Sequence, residues 1–311
     1  MPAPRTVPCR LGIDLGGTKI AGIVLAADGT VRWESRVPTP RDDYAATLEA
    51  IASLVAAGEA AVGVRCSVGL GMPGAISPAT GLVKNANSTW LNGRPFHADL
   101  EARLDRDIRL ANDANCLAVS EAVDGAAAGA SVVFGVILGT GVGGGIAVDG
   151  RVLTGANAIA GEWGHNPLPW PEEGEGGSAC YCGRRGCLET WLSGPGLAAD
   201  FQRRTNEAVA SEQVVVRASG GDAAARAVLG DWTRRLARGL AMVINVLDPA
   251  VIVVGGGLSA IGALYDDVPR LWDRWVFSDR VATRLVPARY GAASGVRGAA
   301  WLWGEPVAGG R

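Results

Sequence analysis

Histidine and lysine are almost missing from this chain. Its 311 residues contain two of each: His97 and His165, Lys19 and Lys84. Imidazole chemistry therefore has two candidate positions. The 29 Lys and Arg residues against 31 Asp and Glu leave a net charge of −2, which excludes the basic face that broad nucleic-acid binding needs. Long apolar runs are lacking as well. The nearest to one, Leu240–Leu258, is interrupted by Asn245 and by Asp248-Pro249, and Met1–Arg10 lacks the apolar core of a signal peptide. These absences predict a soluble, cytoplasmic protein without a membrane partner. There, six cysteines point to metal binding or core packing more than to disulfides.

Glycine is abundant instead, and its placement is informative. Gly12-Ile13-Asp14-Leu15-Gly16-Gly17-Thr18-Lys19 leads into an apolar run ending at Leu25 and an Asp28-Gly29 turn. Gly135–Gly145 repeats the plan around Gly139-Thr140-Gly141, then runs through Ile146–Val148 to Asp149-Gly150. Each is a strand, a glycine turn with a threonine, a second strand and an Asp-Gly turn. Glycine lets backbone N–H groups approach and face an anion. Two such turns in two related domains predict a clamp for a polyphosphate, as in an actin-like ATPase or sugar kinase. The first turn is not a P-loop, because it ends Gly-Thr-Lys and a strand follows it. The Gly139, Gly141, Gly144 spacing also runs on into a strand, unlike a dinucleotide-binding turn.

Alternating strand and helix signals predict α/β layers. Strands are predicted at 10–14, 20–25, 31–37, 67–71, 108–111 and 251–254. Helices are predicted at 44–57, 94–104, 113–123, 231–247, 264–276 and 298–303. Pro167–Ser178 reads as a surface loop. The expected domains are residues 1–115 with 290–311, and residues 116–289 carrying a zinc knuckle. Trp272, Trp275, Trp301 and Trp303 fit either an interface or the core.

Three constellations carry chemistry. His165, Cys180, Cys182 and Cys187 supply a Cys3His set suited to tetrahedral zinc, against free thiols or a disulfide. Cys9, Cys66 and Cys116 read as core residues, and His97 as a packing or surface residue. Asn112-Asp113-Ala114-Asn115 lies between a strand and a helix. Asp113 either caps that helix or is a strand-end carboxylate that accepts a proton from an acceptor hydroxyl. Asp14, beside the first glycine turn, is either a turn residue or a magnesium ligand through water. Glu162 and Glu189 flank the cysteine cluster as solvated charges or as acceptors for sugar hydroxyls. With zinc on one nitrogen of His165, the other becomes an oriented donor.

Together these segments resemble the ROK family of bacterial sugar kinases and repressors. The resemblance runs from about Arg10 to Trp303. It includes Gly71-Met72-Pro73-Gly74, Gly161-Glu162-Trp163-Gly164-His165, Cys180-Tyr181-Cys182-Gly183, Gly186-Cys187-Leu188-Glu189 and Gly255-Gly256-Gly257. Segments such as Pro38–Tyr44, Lys84–Gly93 and Gly295–Trp303 resemble the fructokinase branch most, with the N-acetylglucosamine kinase and glucokinase branches similar through the phosphate and zinc motifs. The resemblance implies a two-domain α/β fold of the actin-like (ribonuclease H-like) type, with a cleft between domains. It implies ATP-dependent phosphorylation of a hexose 6-hydroxyl, expected to be that of fructose and also mannose, with Mg2+ and a structural Zn2+. Asp113 is then the general base and Asp14 the magnesium-positioning residue. Gly16, Gly17, Thr18 and Lys19 form one phosphate loop, and Gly139, Thr140 and Gly141 the other. Gly256 and Gly257 meet the nucleoside. Asn87, Asn112, Glu162, His165 and Glu189 hold the sugar, and a homodimer is expected. A repressor role is disfavoured, since eleven residues precede Gly12.

Overall fold

A computed structural model describes Cys9–Gly304. The termini of the expected first domain, residues 1–8 and 305–311, lie outside the described residues. The first elements in chain order are β1 (Arg10–Leu15), β2 (Lys19–Leu25), β3 (Val31–Pro38), α1 (Tyr44–Val62), β4 (Ser67–Met72), β5 (Ala75–Ile76) and β6 (Val83–Lys84). Then come α2 (Phe96–Leu104), β7 (Ile108–Asn112), α3 (Asp113–Val123), β8 (Val132–Leu138), β9 (Val142–Val148) and β10 (Arg151–Val152). The remainder comprises α4 (Glu189–Leu192), α5 (Gly194–Thr205), α6 (Ser211–Ser219), α7 (Ala223–Leu247), β11 (Val251–Gly255), α8 (Leu264–Asp267), β12 (Arg284–Pro287) and α9 (Ser294–Trp301).

The chain folds into two compact units. One holds residues 9–129, 145–160 and 292–304; the other holds 130–144 and 161–291. The division differs from the one expected from sequence. Helix α3 packs on α9, and residues 145–160 join them.

In the first unit the strand order is β3-β2-β1-β4-β7. Strands β1 and β2 form an antiparallel hairpin, while β1, β4 and β7 run parallel. Leu11, Ile13, Ile20 and Val24 are buried to 3% exposure or less. Burial of each such side chain is worth about 1.5–3 kcal/mol. Helix α1 covers this sheet with Ile51, Leu54 and Val55. By length and hydropathy α1 is the one described helix apolar enough to cross a membrane. It nevertheless carries Glu49 and Glu59, paired with Arg103 and Arg106.

The second sheet has the order β10-β9-β8-β11-β12, with β8, β11 and β12 parallel. Residues 139–141 between β8 and β9 are too few for a parallel crossover, so both sheets begin with a hairpin. Buried Val133, Val136, Ile252, Val253 and Val254 fill the strands, and α7 packs with Trp232, Leu236 and Leu240 buried. Capping explains the shifted helix boundaries. Helix α1 continues to Gly63, which adopts a left-handed conformation (φ 70°). Helix α2 starts only after Pro95. Helix α7 starts eight residues earlier than expected, where Asp222 accepts from the Ala224 and Ala225 N–H groups. The expected helix 264–276 becomes α8 and a 3-10 turn beginning at Pro269, because proline cannot donate within a helix. Trp272 and Trp301 are core residues, whereas Trp275 stacks on Trp170.

Candidate active site

In the first unit, the parallel register sets Asp14 opposite Gly71 and Met72 opposite Asn112. Asp14 and the Asn112-Asp113 pair therefore emerge at the same, carboxyl-terminal end of the sheet, where α/β folds place reactive groups. The cap question is resolved there. Asn112 accepts from the Asn115 N–H at 2.8 Å and is the N-cap of α3. Asp113 is the first helical residue, with Oδ1 accepting from its neighbour Ala114 N–H at 2.8 Å. Its side chain reaches solvent, yet the surrounding protein pushes its carboxyl above the ordinary carboxylate range, against the opposing pull of the Ala114 N–H.

Asp14 sits in a tighter setting. Burial, and then the Asp113 charge, push its carboxyl up to about 6, against the pull of Lys19. A Cβ at position 71 or 295 would stand in ordinary contact with that carboxyl, at 3.6 Å and 3.5 Å, so both backbone segments border it. The Cys116 thiol is fully buried and is raised well above its ordinary value by burial and by the two carboxylates. It is a core thiol, as expected, but lies directly behind the carboxylates.

The first glycine turn is braced by Thr39. Gly16 N–H donates to Lys19 C=O at 3.0 Å, Thr39 N–H donates to Thr18 C=O at 3.1 Å, and Thr39 Oγ1 donates to Gly16 C=O at 2.7 Å. Gly17, Thr18 and Lys19 are exposed. Asn87 is exposed on a segment held by Asn92, which accepts from Ala86 N–H and donates to Ala86 C=O, both at 2.9 Å. Neither Thr39 nor Asn92 stands out by residue chemistry, because each acts through backbone groups that only the fold brings near.

In the second unit, His165, Cys180, Cys182 and Cys187 converge, with their four ligand atoms within 4.8 Å of one another. Cys180 Sγ lies 3.5 Å from His165 Nδ1, and Cys182 Sγ lies 3.6 Å from Cys187 Sγ. Tetrahedral zinc bonded to sulfur and nitrogen gives ligand edges of about 3.6–3.8 Å. The donor set and its spacing therefore fit zinc. The knuckle folds through backbone bonds from Cys180 N–H to Arg184 C=O at 2.8 Å and from Gly183 N–H to Cys180 C=O at 3.0 Å. The other imidazole nitrogen of His165, assigned from sequence to the sugar, faces the Tyr181 hydroxyl at 3.0 Å. Tyr181 is thus a site residue that sequence reasoning missed, although it lies within the cysteine motif.

The knuckle has a second anchor. Buried Arg235 and Arg238 of α7 donate to Glu175 at 2.8 and 2.7 Å, and Arg238 also donates to Trp170 C=O at 2.6 Å. Arg235 reaches Asp200 at 2.6 Å as well. The segment read as a surface loop is therefore fixed to α7 at Glu175.

The second glycine turn joins the knuckle directly. Glu189, the first residue of α4, accepts from Val142 N–H through Oε2 at 3.0 Å, and its own N–H donates to Gly164 C=O at 2.9 Å. Trp163 Nε1 donates to Gly143 C=O at 2.9 Å, fixing the segment on which Glu162 is exposed. Gly256 has φ 85°, and a Cβ there would lie 2.3 Å from Leu138 C=O. Glycine is required where the chain crosses the end of β8, and Gly257 opens the 3-10 turn that follows.

The two hairpin-headed sheets, with strand-end carboxylates on the first, match the two-domain α/β fold of the actin-like sugar kinases. The ROK family model matches residues 10–305, and the chain belongs to the ROK family. It is 41% identical over 296 residues to the N-acetyl-D-glucosamine kinase of Escherichia coli O127:H6, covering 94% of this chain and 98% of that protein. The ROK hexokinase of Thermus thermophilus superposes with a TM-score of 0.85 at 33% identity, over 94% of this chain and 97% of that one. The ROK glucokinase of Streptomyces griseus, in complex with glucose and AMPPNP, superposes with a TM-score of 0.74 at 28% identity, over 94% and 98%.

Proposed function

We propose that the protein transfers the γ-phosphoryl group of ATP to the 6-hydroxyl of N-acetylglucosamine, using magnesium and a structural zinc. The likeness to N-acetyl-D-glucosamine kinases extends over 98% of their length. It replaces the expectation of fructose and mannose, which rested on short local segments. The observation that carries the chemistry is the division of labour at the start of α3. Asn112 caps the helix, so Asp113 is free to act as a base. A sugar hydroxyl is too weak an acid to ionise beforehand, so Asp113 accepts its proton as the new bond forms. Crowding that raises its carboxyl makes it a better base while it is ionised.

In this reading Asp14 positions magnesium through water. Gly16, Gly17, Thr18 and Lys19, with Gly139, Thr140 and Gly141, hold phosphates. Gly256 and Gly257 meet the nucleoside. Asn87, Asn112, Glu162, His165 and Glu189 hold the sugar; Asn112 does so with its amide NH2, since its oxygen caps α3, and His165 with Nε2, which exchanges the Tyr181 hydroxyl for one of the sugar's. Zinc on His165, Cys180, Cys182 and Cys187 orders the knuckle and performs no Lewis-acid step. The assembly is a homodimer, a reading supported by the stacked Trp170 and Trp275 and the fully exposed Phe277. The test is an ATP- and magnesium-dependent phosphorylation panel of N-acetylglucosamine, glucose, mannose and fructose. Highest kcat/KM on N-acetylglucosamine is expected. Preference for fructose would restore the other branch, and turnover on none would refute the kinase reading.

A further inference from the structure

Glu189 stands at a junction within the second unit. Its Oε2 holds the Val142 N–H at 3.0 Å, just after Gly139-Thr140-Gly141. The remainder of that turn is pinned by Gly139 N–H donating to Gly141 C=O at 3.0 Å and by Gly194 N–H, at the start of α5, donating to Gly139 C=O at 2.8 Å. Among the described residues, the Thr140 and Gly141 N–H groups have no protein acceptor, so they remain available to an anion. The fit is close. A Cβ at position 141 would lie 2.7 Å from Glu189 Oε2, so glycine is what allows the carboxylate to reach the turn. Glu189 itself follows Cys187 by two residues, and α4 starts where the knuckle ends.

We infer that Glu189 is a positioning residue that couples sugar occupancy to the second phosphate turn. The inference rests on the sugar-kinase reading and adds a linkage to it. One carboxylate oxygen braces the turn, and Oε1 has no protein partner among the described residues. A sugar hydroxyl donating to Oε1 draws charge away from Oε2. The negative field beside the Thr140 and Gly141 N–H groups weakens, and those groups bind phosphate better. Without sugar, the full carboxylate charge opposes a polyphosphate there. Sugar and nucleotide therefore favour one another's binding by the same factor.

The experiment measures Kd for Mg·AMPPNP by calorimetry, with and without saturating N-acetylglucosamine, on the full zinc-loaded chain. In the natural protein the sugar is expected to tighten AMPPNP at least about fivefold. In Glu189→Gln, at sugar concentrations raised to saturate that variant, the ratio is expected to fall within twofold of one. Gly141→Ala, which displaces the carboxylate from the phosphate side, is expected to weaken N-acetylglucosamine binding about tenfold with no nucleotide present. A ratio retained in Glu189→Gln, or absent from the natural protein, overturns the coupling. So does unchanged sugar affinity in a folded Gly141→Ala. If Gly141→Ala does not fold, Val142 amide exchange decides: because Oε2 accepts more weakly once sugar occupies Oε1, protection must fall on adding sugar to the natural protein and stay unchanged in Glu189→Gln. A natural protein that binds AMPPNP but neither binds nor phosphorylates N-acetylglucosamine refutes the sugar assignment instead. In that case loss of Val142 protection in sugar-free Glu189→Gln still tests the brace.

Discussion

The two glycine turns look alike in sequence and are held in different ways. Gly16–Lys19 is braced by Thr39, a neutral side chain at the end of the neighbouring strand. Gly139–Val142 is braced by Glu189, a charged side chain that follows the cysteine knuckle. The first brace belongs to the sheet and is complete once the sheet has formed. The second depends on a carboxylate, on a cysteine–histidine knuckle whose ligand set fits zinc, and on two buried arginines. A duplicated motif is thus braced once from within its own sheet and once by a charged side chain from outside it.

The largest test of this contrast leaves both turns alone. Asp113→Asn removes the base but touches neither brace, so kcat should drop about 10³-fold while sugar and AMPPNP affinities stay within twofold. Steady-state kinetics with calorimetry checks this, and near-normal turnover would remove Asp113 from the mechanism. Next comes the turn braced by Glu189. Cys182→Ser should release zinc and raise the sugar KM by 10-fold or more, in line with losses at metal-site supports of about 10–100-fold. Amide exchange should quicken at Val142 and stay unchanged at Gly16. Zinc-free protein with unaltered sugar binding would separate the knuckle from the site.

A smaller effect belongs to the first unit. Asp14 has a folded value of about 6 against an ordinary 3.8. Its protonated form is the one the fold favours. That contribution is fully present below about pH 4 and is lost as pH rises through 6. Asp14→Asn should therefore be more stable than the natural protein at pH 7.5, by about 3 kcal/mol at most, with the difference vanishing near pH 4. Denaturant midpoints at the two pH values check it, and a pH-independent difference would contradict the buried-carboxylate account. The smallest expected change is in Thr39→Val. Losing the bond to Gly16 should cost about 1 kcal/mol and raise the KM for Mg·ATP about fivefold, leaving the sugar KM unchanged. A matching rise in sugar KM would show that the first turn is also linked to the sugar.

The sequence made the repeated hairpins, the cysteine–histidine cluster and the strand-end aspartates legible, because each joins unusual residue types at fixed spacing. Helix starts were less legible: Asp222 caps α7 outside its apolar stripe, and Pro95 and Pro269 moved boundaries that periodicity alone placed elsewhere. The braces were hidden. Thr39, Asn92 and the Tyr181 hydroxyl act on groups that are distant in sequence or backbone in character. Residues 145–160 belong to the first unit although they follow the second hairpin directly, and no local composition marks that return. The sugar branch misled for a related reason: short segments near Asn87 favoured fructose, whereas likeness over 296 residues favours N-acetylglucosamine.

The return of the chain to its first unit also governs how the protein is made. Helix α9 lies against β1, β4 and α3 with Val296, Ala299 and Ala300 buried, and Gly304 C=O accepts from Arg10. The unit begun first on the ribosome is therefore finished last. At synthesis rates of about 5–20 residues per second, its opening strand waits roughly 15–60 s for the final helix. During that interval, the faces of β1 and β4 that α9 will cover are exposed to whatever else is in reach.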